Sequence, residues 1–318
     1  MITLYELHWS HYCEKIRLAL DYMQLPWQVV GIHAFSKKEM LMHPVPAQLP
    51  NYTVPAILDD CTRSFVMDST PILRYLEQTY PDAPALFPGD AANRAAIDAQ
   101  LLEFDTLLAI PGRRFAYSQM IFERPDLLAD LFFTHAGGAF YRAPVIRHIS
   151  GFVMGMVLSK RFDFHRSEST GLYEALEQYL LQLADRLEGK AFVVGDAFSV
   201  ADLAFAAQMR PLTIVPFFAE HRQLQSLFAR HRALLQQHSH EGDSLYQTAI
   251  ATARLKQAPV RRSLRLRVST LPFAVKAQHA GNDQITVWDA GMWAMPYHYF
   301  VTLRQGKVRQ LTASATVR

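Results

Sequence analysis

Hydrophobic and polar positions along this chain follow two different periods, and the change of period divides it. Met1-Ile2-Thr3-Leu4-Tyr5-Glu6-Leu7 reads as a short strand, and Ile16-Arg17-Leu18-Ala19-Leu20-Asp21-Tyr22 as the body of a helix. Trp27-Gln28-Val29-Val30-Gly31-Ile32 gives a second strand, followed by a loop containing Pro44, Pro46 and Pro50. Val54-Pro55-Ala56-Ile57-Leu58-Asp59-Asp60 and Ser64-Phe65-Val66-Met67 read as two strands joined by a polar turn. Asp68-Ser69-Thr70-Pro71 has the form of a helix start, a capping side chain followed by a proline in the first turn. Ile72, Leu73, Tyr75, Leu76 and Tyr80 give that helix an apolar face, and Pro81 stops it.

The order of this first part is βαβ, loop, ββα, which is thioredoxin-like. Residues 84–93 read as a linker, and from Ala95 to about His238 the pattern is helical throughout, as in Leu172, Leu176, Tyr179, Leu180, Leu183 and Leu187. Residues 121–164 exceed what a compact helical domain needs and predict added helices or a lid. Ser199-Val200-Ala201-Asp202 is a capping box ahead of an apolar run. After Pro259 short alternating runs recur at 263–268, 273–277, 284–288, 297–303 and 307–311, with Gly281-Asn282-Asp283 and Gln305-Gly306 as hairpin turns. The expected fold class is thus an α/β thioredoxin-like N-terminal domain over 1–82, an all-α domain with an enlarged helical insert over 93–240, and a small antiparallel β appendage over 260–318.

Composition narrows the function classes. A length of 318 residues, 50% hydrophobic and 19% charged, suits a soluble globular protein of two domains with an appendage. A net charge of +3 is too small to imply a nucleic-acid or membrane partner. The only cysteines are Cys13 and Cys61, which excludes a disulfide framework and points to a reducing compartment, the cytoplasm. The opening residues lack the layout of a signal peptide. The apolar stretch 149–158, bounded by His148 and Lys160, falls short of the roughly 20 residues of a membrane span and reads as a buried helix. No His-Glu-x-x-His or paired Cys-x-x-Cys occurs among the thirteen histidines and two cysteines, so no metal site is expected. Arg261, Arg262, Arg265 and Arg267 alternate with Leu264 and Leu266 as the wet face of a strand, and the aromatic run from Trp288 to Phe300 predicts packing.

The candidate chemistry sits at the first strand-to-helix junction, Ser10-His11-Tyr12-Cys13-Glu14-Lys15-Ile16-Arg17. Free N–H groups and the helix dipole stabilise an anion there, a thiolate included. Redox proteins carry Cys-x-x-Cys at such a junction; here Ser10 holds the first position, so the reacting thiol is expected to come from outside. Cys13, in the first helical turn, is the second candidate. Tyr5 reads as a strand residue, Cys61 as inert and Asp202 as a structural cap.

Together with Val54-Pro55-Ala56-Ile57, Asp68-Ser69-Thr70-Pro71-Ile72-Leu73-Arg74-Tyr75-Leu76 and Ser199-Val200-Ala201-Asp202, this junction resembles the glutathione transferase superfamily, over residues 1 to about 238. The resemblance implies an enzyme that activates the glutathione thiol and adds it to an apolar electrophile, with glutathione as co-substrate and a homodimer as the assembly. It puts Ser10 on the sulfur, Pro55 on the family's cis-proline and the Val54 backbone against the cysteinyl unit. Asp68 and Ser69 receive the γ-glutamyl amine and carboxylate respectively. Lys37, Lys38 and Gln48 are the candidates for the glycyl carboxylate. Where many members have a glycine-containing turn, this chain has Leu49-Pro50-Asn51-Tyr52-Thr53. Phe115, Tyr117, Phe140 and Tyr141 are the candidates for the second-substrate wall. Two other readings stand beside transfer: a glutathione-dependent reductase or isomerase using Cys13, and a non-catalytic interaction module whose working part is the terminal sheet.

Overall fold

A strand buried on both faces must lie inside its sheet, and β1 (Ile2–Glu6), buried at every position, does so. The computed structural model describes residues 1–33, 36–43, 52–123, 128–129, 131–132, 144–161, 172–238 and four strands between 275 and 315. β1 runs parallel to β2 (Trp27–Gly31) and antiparallel to β3 (Ala56–Asp59), which pairs with β4 (Ser64–Met67), giving the mixed order β2-β1-β3-β4. Tyr5 lies opposite Ala56 and Ala56 opposite Met67. That register brings the turn after β1, the residues before β3 and the residues after β4 to one end of the sheet.

α1 (His11–Tyr22) begins five residues ahead of its apolar run, because Ser10 caps it and its first turn buries His11, Glu14 and Lys15 as well as Cys13. α2 (Ser69–Thr79) starts after the Asp68 cap, as its sequence predicts. Both helices lay apolar faces (Ile16, Leu20, Ile72, Leu76) against the sheet.

α3 (Ala91–Glu103) starts inside the predicted linker, where Asp90 caps it by accepting the Asn93 N–H at 2.9 Å. It continues through a π-helical turn, Phe104–Ala109, into α4 (Ile110–Glu123). α5 (Pro144–Arg161), α6 (Leu172–Leu187), α7 (Val200–Met209) and α8 (Gln225–His238) follow. Two expectations need correction. The pattern is not helical throughout: residues 188–199 form turns, in which Gly189 and Gly195 take positive φ. α5, read as a buried helix, buries only one face. Gly155 lets Ile121 of α4 pack closely, while Val145, Ile149, Val153 and Val157 are exposed.

α7 is buried at every position and is the axis of the helical domain. Its Ser199–Asp202 capping box is formed as the sequence predicts. One apolar cluster runs from β1, α1 and α2 through α3 and α6 to α7 and α8. Towards the end of the chain β5 (Val275–Ala280), β6 (Gln284–Asp289), β7 (Tyr297–Arg304) and β8 (Lys307–Ala315) pair antiparallel in chain order. The predicted run 263–268, both predicted hairpin turns and most of the 121–164 insert outside α4 and α5 lie beyond the described residues. Among the described residues no helix is long and apolar enough to cross a membrane.

Candidate functional site

Three backbone segments meet at the end of the sheet that the register defines. The first is the turn from β1 into α1, closed by the Ser10 N–H donating to Leu7 O at 2.8 Å. Ser10 Oγ accepts the Cys13 N–H at 3.4 Å, and its side chain is also a hydrogen-bond partner of the Cys13 thiol. The second is Val54–Pro55, joined by a cis peptide bond. The third is Asp68–Ser69, whose Asp68 N–H donates to Pro55 O at 3.0 Å and so ties it to the second.

Asp68 has φ 75° and ψ 141°, a conformation costly for a residue with a Cβ, and its carboxylate accepts the Ser69 N–H at 2.6 Å. Its side chain is exposed, whereas Ser69 at the first position of α2 is buried. Strained backbone of this kind is concentrated at ligand clamps. Lys37 reaches the same region, its ammonium donating to the Tyr52 carbonyl two residues before Val54. Lys38 is exposed on the short turn that follows, and Gln48 lies outside the described residues.

Cys13 is fully buried, and burial, with Glu6 adding to it, pushes its thiol up to about 12. His11 is buried too. Burial first, then the Arg113 and Lys15 cations, hold its imidazole well below the ordinary histidine value, and its Nε2 has no hydrogen-bond partner among the described residues. Its ring lies 4.2 Å from that of Tyr12, whose phenol burial raises to about 12.

Behind Ser10 lies a layer of charge that the sequence pattern does not assign to the site. Arg17 donates to both Glu6 carboxylate oxygens at 2.8 Å, to Glu14 Oε2 at 2.9 Å and to His8 O at 3.2 Å. Arg210, from the helical domain, reaches the same Glu14 Oε2 at 2.7 Å. His8 Nδ1 lies 2.6 Å from Glu6 Oε1. Burial alone would raise the Glu6 carboxyl, but His8 and Arg17 outweigh it and leave it below the ordinary value. On the same helical turn, buried Lys15 meets Asp105 of the π-helical turn at 3.3 Å, and Gln208 donates to the same oxygen. The Glu14–Arg17 spacing on one helix is legible in the sequence; Arg210 has no local signal.

Trp9, next to Ser10, packs on Phe132 with centroids 4.8 Å apart and joins an apolar cluster of Tyr117, Met120, Met154 and Leu158. Of the four residues offered for the second-substrate wall, Tyr117 is in this cluster and Phe115 packs in the main core against Phe218. Phe140 and Tyr141 lie outside the described residues.

Two family models match the chain: the glutathione S-transferase N-terminal domain over residues 4–84 and the glutathione S-transferase C-terminal domain over 151–233. Solved structures share the fold. A delta-class glutathione transferase of Nilaparvata lugens is 18% identical with a TM-score of 0.51, over 80% of this chain and 100% of that one. An epsilon-class glutathione S-transferase from the housefly, Musca domestica, is 18% identical with a TM-score of 0.51, over 81% and 99% of the two chains. A Bombyx mori glutathione transferase is 18% identical at 0.51, over 79% and 97%. No curated protein matches the chain.

Proposed function

The chain belongs to the glutathione S-transferase superfamily, and from that premise we propose that it activates the thiol of glutathione at Ser10 and adds it to an apolar electrophile. The observation that carries this reading is the state of Ser10. Its oxygen accepts the Cys13 N–H at the start of α1, and its hydroxyl, which also bears on the Cys13 thiol, is the donor an incoming sulfur would engage. A hydrogen bond donated to the thiolate favours the charged form and lowers the thiol's pKa, and the N-terminal field of α1 acts in the same direction.

The rest of the tripeptide is read onto the two adjoining segments. The backbone of Val54, before cis-Pro55, pairs with the cysteinyl unit; Asp68 takes the γ-glutamyl amine; Ser69, with the N–H groups at the start of α2, takes its carboxylate. Lys37 and Gln48 serve the glycyl carboxylate. Trp9 and the cluster it joins supply the apolar side of the second substrate's place. Burial of Cys13, with its thiol raised to about 12, favours Ser10 over the Cys13-dependent reductase or isomerase. The two cysteines, free in this structure, fit work in a reducing cytoplasm, and the family expectation is a homodimer. The β-rich segment 260–318 is read as an appendage outside the catalytic unit.

Transfer to a chromogenic aryl halide, followed in the presence of glutathione, tests the assignment. Ser10→Ala should lower the rate by about a hundredfold, the usual scale for losing one hydrogen bond to a developing anion, while Cys13→Ala stays close to the parent. Asp68→Ala and Ser69→Ala should abolish retention on immobilised glutathione. The opposite pattern, with Cys13→Ala inactive and Ser10→Ala unaffected, would overturn it.

A further inference from the structure

A carboxylate in the first turn of a helix is ordinarily welcome, because it sits in the positive field of the N-terminus. In α1 that carboxylate is Glu14, and it is buried. Its backbone N–H donates to Ser10 O at 2.9 Å, so it stands one helical turn behind the residue assigned to the thiolate. An unscreened anion there would cancel the field that a bound sulfur needs and would repel the sulfur directly. The structure answers with two guanidinium groups on one carboxylate oxygen, Arg17 at 2.9 Å and Arg210 at 2.7 Å. Arg17 is shared with Glu6, which holds both of its contacts to Nη1. Arg210 thus supplies a second guanidinium beside Arg17 for the carboxylates Glu6 and Glu14. His8 faces Glu6 from the turn, and Lys15 is directed to Asp105.

Arg210 belongs to the helical domain, at the end of α7, and is 1% exposed. We propose that Arg210 is a positioning residue for the thiol chemistry: it neutralises Glu14 behind Ser10 and so leaves the N-terminal field of α1 to the bound sulfur. The proposal rests on the glutathione reading above. It makes the helical domain part of the thiol-activating apparatus without touching the ligand.

Ultraviolet absorption of the thiolate in the protein–glutathione complex, titrated against pH, provides the test. Arg210→Met removes one of the two guanidiniums on Glu14 and should raise the thiol midpoint by about one pH unit, which cuts the thiolate present at neutral pH about tenfold. Glu14→Gln should move the midpoint downward. Glu14→Gln combined with Arg210→Met removes both charges and should return it to the parent value, which a loss of packing alone would not do. Should Arg210→Met fail to fold, Glu14→Gln and the double variant still decide the matter. An unchanged midpoint in the folded single variants, or a double variant that stays displaced, overturns the role of Arg210 and leaves the glutathione reading standing. A parent complex whose thiol midpoint is no lower than that of free glutathione overturns the glutathione reading, and this inference falls with it.

Discussion

His11, one residue past Ser10, illustrates how far burial governs the chemistry of single side chains in this turn. It is 3% exposed, and burial, followed by the Arg113 and Lys15 cations, keeps its imidazole neutral. The sign of the consequence is fixed. The folded state refuses a proton that the unfolded chain accepts near 6.5, the ordinary histidine value, so stability is present above that pH and is lost as pH falls below it. Urea unfolding measured from pH 7 downward should lose about 1.4 kcal/mol for each unit below that value, and His11→Gln should remove this component of the slope. A parent slope that His11→Gln leaves intact would assign the effect to another group. Ser10 and Cys13 were legible as candidates because the signal is local, a capping residue and a thiol in one turn. The burial of Cys13 was not legible, since it is set by residues far away in the chain.

At the level of elements, short-range grammar carried much of the prediction. Asp68 before α2 and the Ser199–Asp202 box before α7 are read from adjacent residues, and both caps are formed. The turns at 188–199 were missed although Gly189 and Gly195 mark them, because the apolar periods on either side are strong. Those glycines are unequal. At Gly195, φ is +62° and a Cβ would stand 2.5 Å from Asn93 Oδ1, with Asn93 anchored by its amide donating to Pro88 O at 2.9 Å. At Gly189, φ is +70° but nothing lies within 4 Å. Gly189→Ala should therefore cost about 1 kcal/mol, the left-handed backbone alone, and Gly195→Ala about 3 kcal/mol, with the clash added. Thermal unfolding of the two variants side by side checks the order; equal losses would refute it.

Across the whole molecule the two domains share more than a boundary. Their apolar residues form one cluster, and the charges at their contact pair across it: Glu14 with Arg210, and fully buried Lys15 with Asp105, 90 residues away. No sequence pattern announces pairs so distant, so the first part reads in isolation as a self-sufficient α/β unit. Cut from its partner, it would hold Glu14 and Lys15 with those counter-charges gone and an uncovered apolar face. Residues 1–82 alone should accordingly show no cooperative thermal transition and should bind a hydrophobic dye, whereas residues 1–240 melt as one unit; a sharp transition in the fragment would contradict this. The π-helical turn Phe104–Ala109 matters at the same scale. Such a turn holds one residue more than its α-helical equivalent, and Thr106 within it is exposed, its hydroxyl donating to the carbonyls of Leu102 and Glu103. Excising a single residue there would restore an α-helical turn and leave the helices on either side in phase. Tyr117, and with it the apolar cluster beside Trp9, would keep its register with Ser10, so the surplus residue is absorbed where it stands and a deletion confined to this turn should be borne by the turn alone.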